Sequence, residues 1–442
     1  MTSLAERLRA GAYQAYAYAY PHKTAYRDLP EPVDLASLWA GEDRSQLFAY
    51  LHVPFCTYRC GFCNLFALGR PADDLVEAYT TQLERQIANV GRALGEHRIV
   101  RFAIGGGTPS YLAPAQLARL FNAAQRHLRV DVARVPAGIE VSPETATRER
   151  LAICRDAGID RVSMGVQSFV DAELASLVRP AQRDEVVRAI GDIRALGFPT
   201  LNLDLIYGIP GQSAASLVNS LDSALAFAPE ELYLYPLYVR AKTGLGRIEE
   251  RRGTATDTRM TLYETARDTL LDAGYTQVSM RMFRAPHAPA QDGPAYCCQN
   301  DGMVGMGCGA RSYTRRLHYS DHYGVARASV AQILREYVDA PADSFAYARY
   351  GYALDAGEER RRYVIQSLLT WPGLDERAYA ARFGSAAFDD LPQLAELVAL
   401  DLARRDDATL ALTASGMAHA DTIGPWLVSP VVQARMDTYA AR

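Results

Sequence analysis

Three cysteines, Cys56, Cys60 and Cys63, stand as Cys-x3-Cys-x2-Cys within residues 50–66, YLHVPFCTYRCGFCNLF. Thiolates crowded into one short loop are costly unless a cation neutralises them, and soft sulfur ligands select zinc, copper(I) or an iron–sulfur cluster. A closed zinc site takes four ligands, whereas a cluster held by three thiolates keeps one iron open for another molecule. His52, separated from Pro54 by a single residue, is a poor fourth ligand. Three ligands plus an open position is therefore the reading, with an incidental zinc loop as the alternative.

The cysteines must be held by what surrounds them. They follow the apolar alternating run 47–53, which reads as a strand ending at Pro54. From there to about residue 275, short β-rich runs alternate with amphipathic helical stretches. Strands are expected at 47–53, 100–104, 138–141, 161–166, 201–206 and 231–237. Helices are expected at 74–93, 114–128, 145–156, 183–196, 213–227 and 257–273. The first helix shows the stripe Leu75, Tyr79, Leu83 and Ile87, and the second carries Pro114 at its first turn. This repetition predicts an α/β fold, a partial (β/α)6 barrel of the TIM type, with chemistry at the carboxyl ends of the strands.

Each further polar motif falls at such an end. Gly105-Gly106-Gly107-Thr108-Pro109 follows the second strand, where glycines let backbone approach a ligand closely. Glu140 ends the third strand and Gln167 the fourth. Arg179 follows one short helix later and suits a carboxylate. Asp204 ends the fifth strand among apolar neighbours, where an unpaired charge is expensive.

The string Tyr-x-His-x-Pro-Phe-Cys-x3-Cys-x-Phe-Cys, with GGGTP, GVQSF and DLIYGIPGQ, resembles the oxygen-independent coproporphyrinogen III oxidase-like branch of the radical S-adenosylmethionine (SAM) enzymes, over roughly residues 46–425. The resemblance implies a [4Fe-4S] cluster on Cys56, Cys60 and Cys63, and one or two molecules of SAM. It implies that Tyr50, Gly106 and Glu140 hold the cluster-bound SAM. Phe62, Gly107, Thr108, Gln167, Arg179 and Asp204 match positions for a second.

Reductive SAM cleavage to a 5′-deoxyadenosyl radical is the implied reaction. The implied partners are a small-molecule or peptide substrate and an electron donor such as flavodoxin or ferredoxin. Three substrate readings stay open: two-SAM methyl transfer, coproporphyrinogen decarboxylation and haem chaperoning. The decarboxylases carry another cysteine two residues past the last ligand, where this chain has Leu65. The chaperones carry His-Asn-x-x-Tyr-Trp where this chain has residues 293–298, GPAYCC.

The remainder of the chain is ordinary by composition. A formal net charge of −4 over 442 residues gives no electrostatic case for nucleic acid or membrane, and no apolar run is long enough to cross one. The start lacks the apolar centre of a signal peptide, so a cytoplasmic location is expected. Seven cysteines, three of them in one loop, do not suggest a disulfide framework.

Expected divisions are an N-terminal extension at 1–45, the barrel at 46–275, a completing segment at 276–350, and a small helical, winged-helix-like C-terminal domain at 351–442. In the extension, alternation at Tyr16, Tyr18 and Tyr20 predicts three rings on one face of an extended segment. Cys297 and Cys298 read as bystanders. Arg311, Arg315, Arg316, His318 and His322 read as a basic group, either a solvated face or a receiver of an acidic substrate.

Overall fold

Six runs of aliphatic and β-branched residues form consecutive parallel strands, Leu47–Val53, Ile99–Gly106, Ala137–Val141, Arg161–Gln167, Thr200–Tyr207 and Glu231–Pro236, each hydrogen-bonded to the next in sequence order. The computed structural model describes residues 3–240, 243–252, 257–290 and 297–439, so residues 293–296 lie outside the described residues. In the first strand Leu47, Ala49, Leu51 and Val53 are fully buried, and the alternate residues Phe48, Tyr50 and His52 share the opposite face. The helix Asp73–Leu94 covers the buried set with Tyr79, Leu83, Ile87 and Val90, and Asp73 and Asp74 in its first turn complement its dipole. Its Tyr79 hydroxyl donates to the His52 carbonyl at 2.7 Å, tying helix to strand just before the cysteines.

The predicted partial barrel is present, and it is left open. One edge gains Met303–Met306, parallel to the first strand, and then the antiparallel strands Arg311–Tyr313, Leu317–Ser320, Tyr347–Ala353 and Arg27–Asp34. The other edge gains Met282–Arg284, antiparallel to the sixth strand. Gly105 and Gly106 are the last residues of their strand rather than the start of a turn.

The C-terminal part combines helices such as Ala356–Leu368 and Glu376–Phe383 with an antiparallel sheet ordered Leu374–Asp375, Thr409–Leu412, Ala403–Asp406. Its core of Val364, Ile365, Leu368, Leu394, Leu397 and Leu410 also takes in Leu4, Tyr20, Ala25 and Tyr26, so the two ends of the chain share one apolar core.

The tyrosines do not share one face. Tyr16 and Tyr18 pack ring to ring with centroids 5.3 Å apart, but Tyr20 is turned into this second core, its hydroxyl on the Glu358 carboxylate. The expected basic group is also divided. His318 is fully buried, accepting from Arg362 Nη1 at 2.7 Å, and His322 sits on Asp28 at 2.8 Å. Arg311 donates instead to the Tyr18 hydroxyl at 2.8 Å. Among the described residues no helix is long and apolar enough to cross a membrane.

Candidate active site

The cysteine loop is tied at both ends by backbone. Phe55 and Cys56 pair in parallel with Leu68 and Gly69; the Leu68 N–H donates to the Pro54 carbonyl at 2.7 Å and the Arg70 N–H to the Cys56 carbonyl at 2.9 Å. Inside it, the Cys63 N–H donates to the Cys60 carbonyl at 3.1 Å. Gly61 is clamped from both sides, donating to the Leu177 carbonyl at 2.9 Å and accepting from the Leu245 N–H at 2.8 Å. A Cβ there would stand 2.8 Å from Val178 Cγ2, so only glycine fits. The next residue, Phe62, wedges into an apolar cluster of Leu177, Ile206, Ile209, Leu237 and Leu245 and holds the loop against the far strands.

All three loop thiols are free and half-buried. Burial pushes Cys56 up to about 12, against the Thr108 hydroxyl hydrogen bond at 3.5 Å, and burial raises Cys63 as well. Burial thus favours the neutral form of Cys56 and Cys63, and a cation beside them would favour the thiolates. Among the described residues no three His, Cys, Asp or Glu side chains converge as they would around one ion. Gly107 keeps the cradle open, since a Cβ there would lie 2.8 Å from the Phe55 carbonyl oxygen and 3.0 Å from Cys56 Sγ.

Beside the loop, three of the expected residues meet. The Gly106 N–H donates to Glu140 Oε2 at 2.9 Å, and a Cβ on Gly105 would be 2.9 Å from both the Glu140 carboxyl and the Tyr50 hydroxyl. Burial raises the Glu140 pKa, yet its side chain keeps accessible surface, so it lines an interior space rather than packed core. Asp204 faces the same space. Its Oδ1 accepts from Asn202 Nδ2 at 2.7 Å, and burial pushes it up to about 7, with the Glu140 charge adding to the rise. Gln167 caps the fourth strand in a left-handed conformation at φ 73°, beside a register shift against the fifth. Strain of this kind in a non-glycine residue marks a position held for its side chain.

Two expected residues stand on the cysteines themselves. Arg179, only 7% exposed, donates from Nη1 to Cys60 Sγ at 3.1 Å and from Nη2 to the Gly165 carbonyl at 2.7 Å. Thr108 reaches Cys56.

Sequence reasoning missed His52. Buried, with its pKa lowered by burial to about 4, it is neutral: Nε2 donates to the Phe66 carbonyl at 3.1 Å and Nδ1 lies 3.3 Å from the Tyr50 hydroxyl. It pins the exit of the loop to the first strand. Its place two residues after Tyr50 on the same face was the available signal. Cys298 is pushed by burial up to about 12 and is a protonated, sluggish thiol at neutral pH.

Residues 50–224 match the Radical SAM superfamily. An oxygen-independent coproporphyrinogen III oxidase of Escherichia coli is 28% identical over 429 residues, covering 91% of each chain. One from Pseudomonas aeruginosa is 29% identical, covering 84% of this chain and 83% of its own. A heme chaperone, HemW, of Bacillus subtilis is 25% identical over 83% of this chain and 95% of its own. The solved E. coli coproporphyrinogen III oxidase, HemN, superposes with a TM-score of 0.73 at 23% identity, covering 93% of this chain and 97% of that one, which establishes the shared fold.

Proposed function

The chain belongs to the radical SAM superfamily, with relatives among the coproporphyrinogen oxidases and heme chaperones, and from that premise we propose that it is a SAM-cleaving radical enzyme acting on a tetrapyrrole acid. Oxidative decarboxylation of coproporphyrinogen III is the first reaction to test. The carrying observation is the convergence of Cys56, Cys60 and Cys63 with Tyr50, Gly106 and Glu140 at the carboxyl ends of the first three strands.

Cys56, Cys60 and Cys63 would hold a [4Fe-4S] cluster. When bound, the cluster supplies the single electron that splits SAM into methionine and a 5′-deoxyadenosyl radical. Glu140 and the Tyr50 hydroxyl offer acceptors for an ammonium group, and Gly106 permits close backbone approach. Phe62 and the Gly61 clamp fix the loop, so the reacting groups meet in one geometry. Gln167 and Asp204 face the space beyond, where substrate or a second SAM would lie, and Gly107, Thr108 and Arg179 border the cysteines. The electron would come from a small donor such as flavodoxin or ferredoxin.

A relative named as an oxidase aligns over 91% of both chains, which supports the decarboxylase reading. Leu65, 49% exposed, stands where that reading wants a further cysteine. Heme chaperoning is supported by the B. subtilis relative. Methyl transfer draws on Gln167, Arg179 and Asp204. Anaerobic reconstitution, dithionite reduction and mass spectrometry with coproporphyrinogen III separate the three. Two losses of carbon dioxide with 5′-deoxyadenosine support decarboxylation, addition of 14 mass units supports methyl transfer, and an unchanged substrate with a tight haem Soret band supports chaperoning.

A further inference from the structure

Among the described residues, two cations beside the cysteine loop, Lys23 and Arg311, lack a carboxylate partner, and the Arg240 charge adds to theirs. Lys23, on the short turn Lys23–Ala25, places Nζ 3.2 Å from the centroid of Tyr323, whose own hydroxyl donates to the carbonyl of Asn64, next to Cys63. Arg311 donates from Nη1 to the Tyr18 hydroxyl at 2.8 Å, with its guanidinium 5.0 Å from that ring. Tyr18 in turn lies 3.4 Å from His22 Nε2.

Among the described residues neither cation has a carboxylate at ion-pair distance. Burial holds the Lys23 ammonium well below its usual range, and the Arg311 charge lowers it further. Lys23 nevertheless keeps accessible surface, so it is not sealed in. Its ammonium has three donors and a ring face against it.

Two like charges at such depth are expensive, and stacking on tyrosines offsets only part of the cost. The chain nevertheless takes trouble to place them. The segment carrying Tyr18 and Lys23 is pinned by the C-terminal part: the Ala15 N–H donates to the Asp421 carbonyl at 3.1 Å, Thr422 Oγ1 to the Gly11 carbonyl at 3.0 Å, and Ala17 packs where a Cβ on Gly424 would stand.

We propose that Lys23 and Arg311 clamp a carboxylate of the substrate on the Cys63 side of the mouth. The clamp rests on the reading of this mouth as the substrate site, and it specifies an acid-bearing substrate held by one carboxylate between an ammonium and a guanidinium. The N-terminal segment thereby becomes part of the site.

Reconstituted protein, matched for iron content, would be melted with succinate and with chloride at equal ionic strength, and titrated with coproporphyrin III by fluorescence. Wild type is expected to gain a few degrees with succinate. Lys23→Met with Arg311→Met should lose that gain, and without anion should melt as high as wild type or higher, because an unneutralised buried charge is gone. Each single variant should bind coproporphyrin III about tenfold more weakly, a loss of about 1.4 kcal/mol, while Lys23→Arg retains binding. Lys23→Gln serves if the methionine variant does not fold.

The clamp is overturned if wild type shows no succinate response, if the double variant keeps it, or if removing the charges only destabilises the protein. It is equally overturned if the variants shift the cluster potential with the anion response intact, since the cations would then serve the cluster. A succinate response that depends on Lys23 and Arg311, in a wild type that ignores coproporphyrin III, upholds the clamp and refutes the tetrapyrrole reading.

Discussion

Arg281 and the Lys23–Arg311 pair are buried cations placed at opposite kinds of site. Arg281, 3% exposed, donates to Asp421 Oδ2 at 2.5 Å; the Tyr238 hydroxyl donates to the same oxygen at 2.6 Å, and Tyr16 lies over the guanidinium at 3.6 Å. Every charge there has its complement. It joins the barrel edge to the helix Ala420–Trp426 and closes the seam between the two cores. At the mouth the same side-chain types sit on the same kind of ring without a carboxylate. The chain itself neutralises Arg281, whereas the proposed clamp leaves Lys23 and Arg311 to be completed by a substrate carboxylate.

The sharpest test of this contrast is a double dissociation. Cys60→Ala, in the mouth, should reduce 5′-deoxyadenosine formation to background in anaerobically reconstituted protein, with the urea midpoint of the cluster-free chain little changed. Asp421→Asn, in the seam, should do the reverse. It leaves Arg281 buried and unpaired and should lower stability by about 3–5 kcal/mol in urea denaturation, while chromatography still detects SAM cleavage at low temperature. Replacing both partners, Arg281→Met with Asp421→Leu, should recover most of that loss; a double variant as unstable as the single one would break the comparison.

A smaller effect is expected at Gly107. Its Ala variant pushes a methyl against the Phe55 carbonyl and Cys56 Sγ, so iron bound per chain should fall while the fold persists. Atomic absorption against protein concentration measures it.

The smallest effect should be pH-dependent and confined to the mouth. Asp204 is raised from 3.8 to about 7, chiefly by burial, so the folded state binds its proton more tightly than the unfolded state does. The stability this contributes is fully present below the ordinary carboxylate range and is lost as pH rises through about 7. Urea midpoints of wild type should thus decline relative to Asp204→Asn between about pH 5 and 7. Parallel profiles would mean that Asp204 is already charged in the folded state.

Much of the barrel was legible because its signals are local. Strand and helix periodicities marked 47–53 and 114–128 to the residue, and a strand end places its next side chains at the mouth whatever the packing. What the sequence left unread lies where partners are remote. Arg179 stands on Cys60, 119 residues away, a contact that nothing local announces. Tyr16, Tyr18 and Tyr20 read as one face by alternation, whereas the C-terminal part pulls Tyr20 to Glu358, 338 residues away.

The sequence by itself determined the cysteine loop, the glycine run and the order of strands, because thiolate spacing, backbone freedom and β/α periodicity act over a few residues. Only the tertiary structure decided which charges are paired. Arg281 and Asp421 are 140 residues apart, and Lys23 and Arg311 further still; nothing local states that the first two meet and that the latter two find no carboxylate among the described residues. Burial sets the cost of a charge and three-dimensional proximity sets its relief, and both arise only when the sheet closes and the two chain ends pack together.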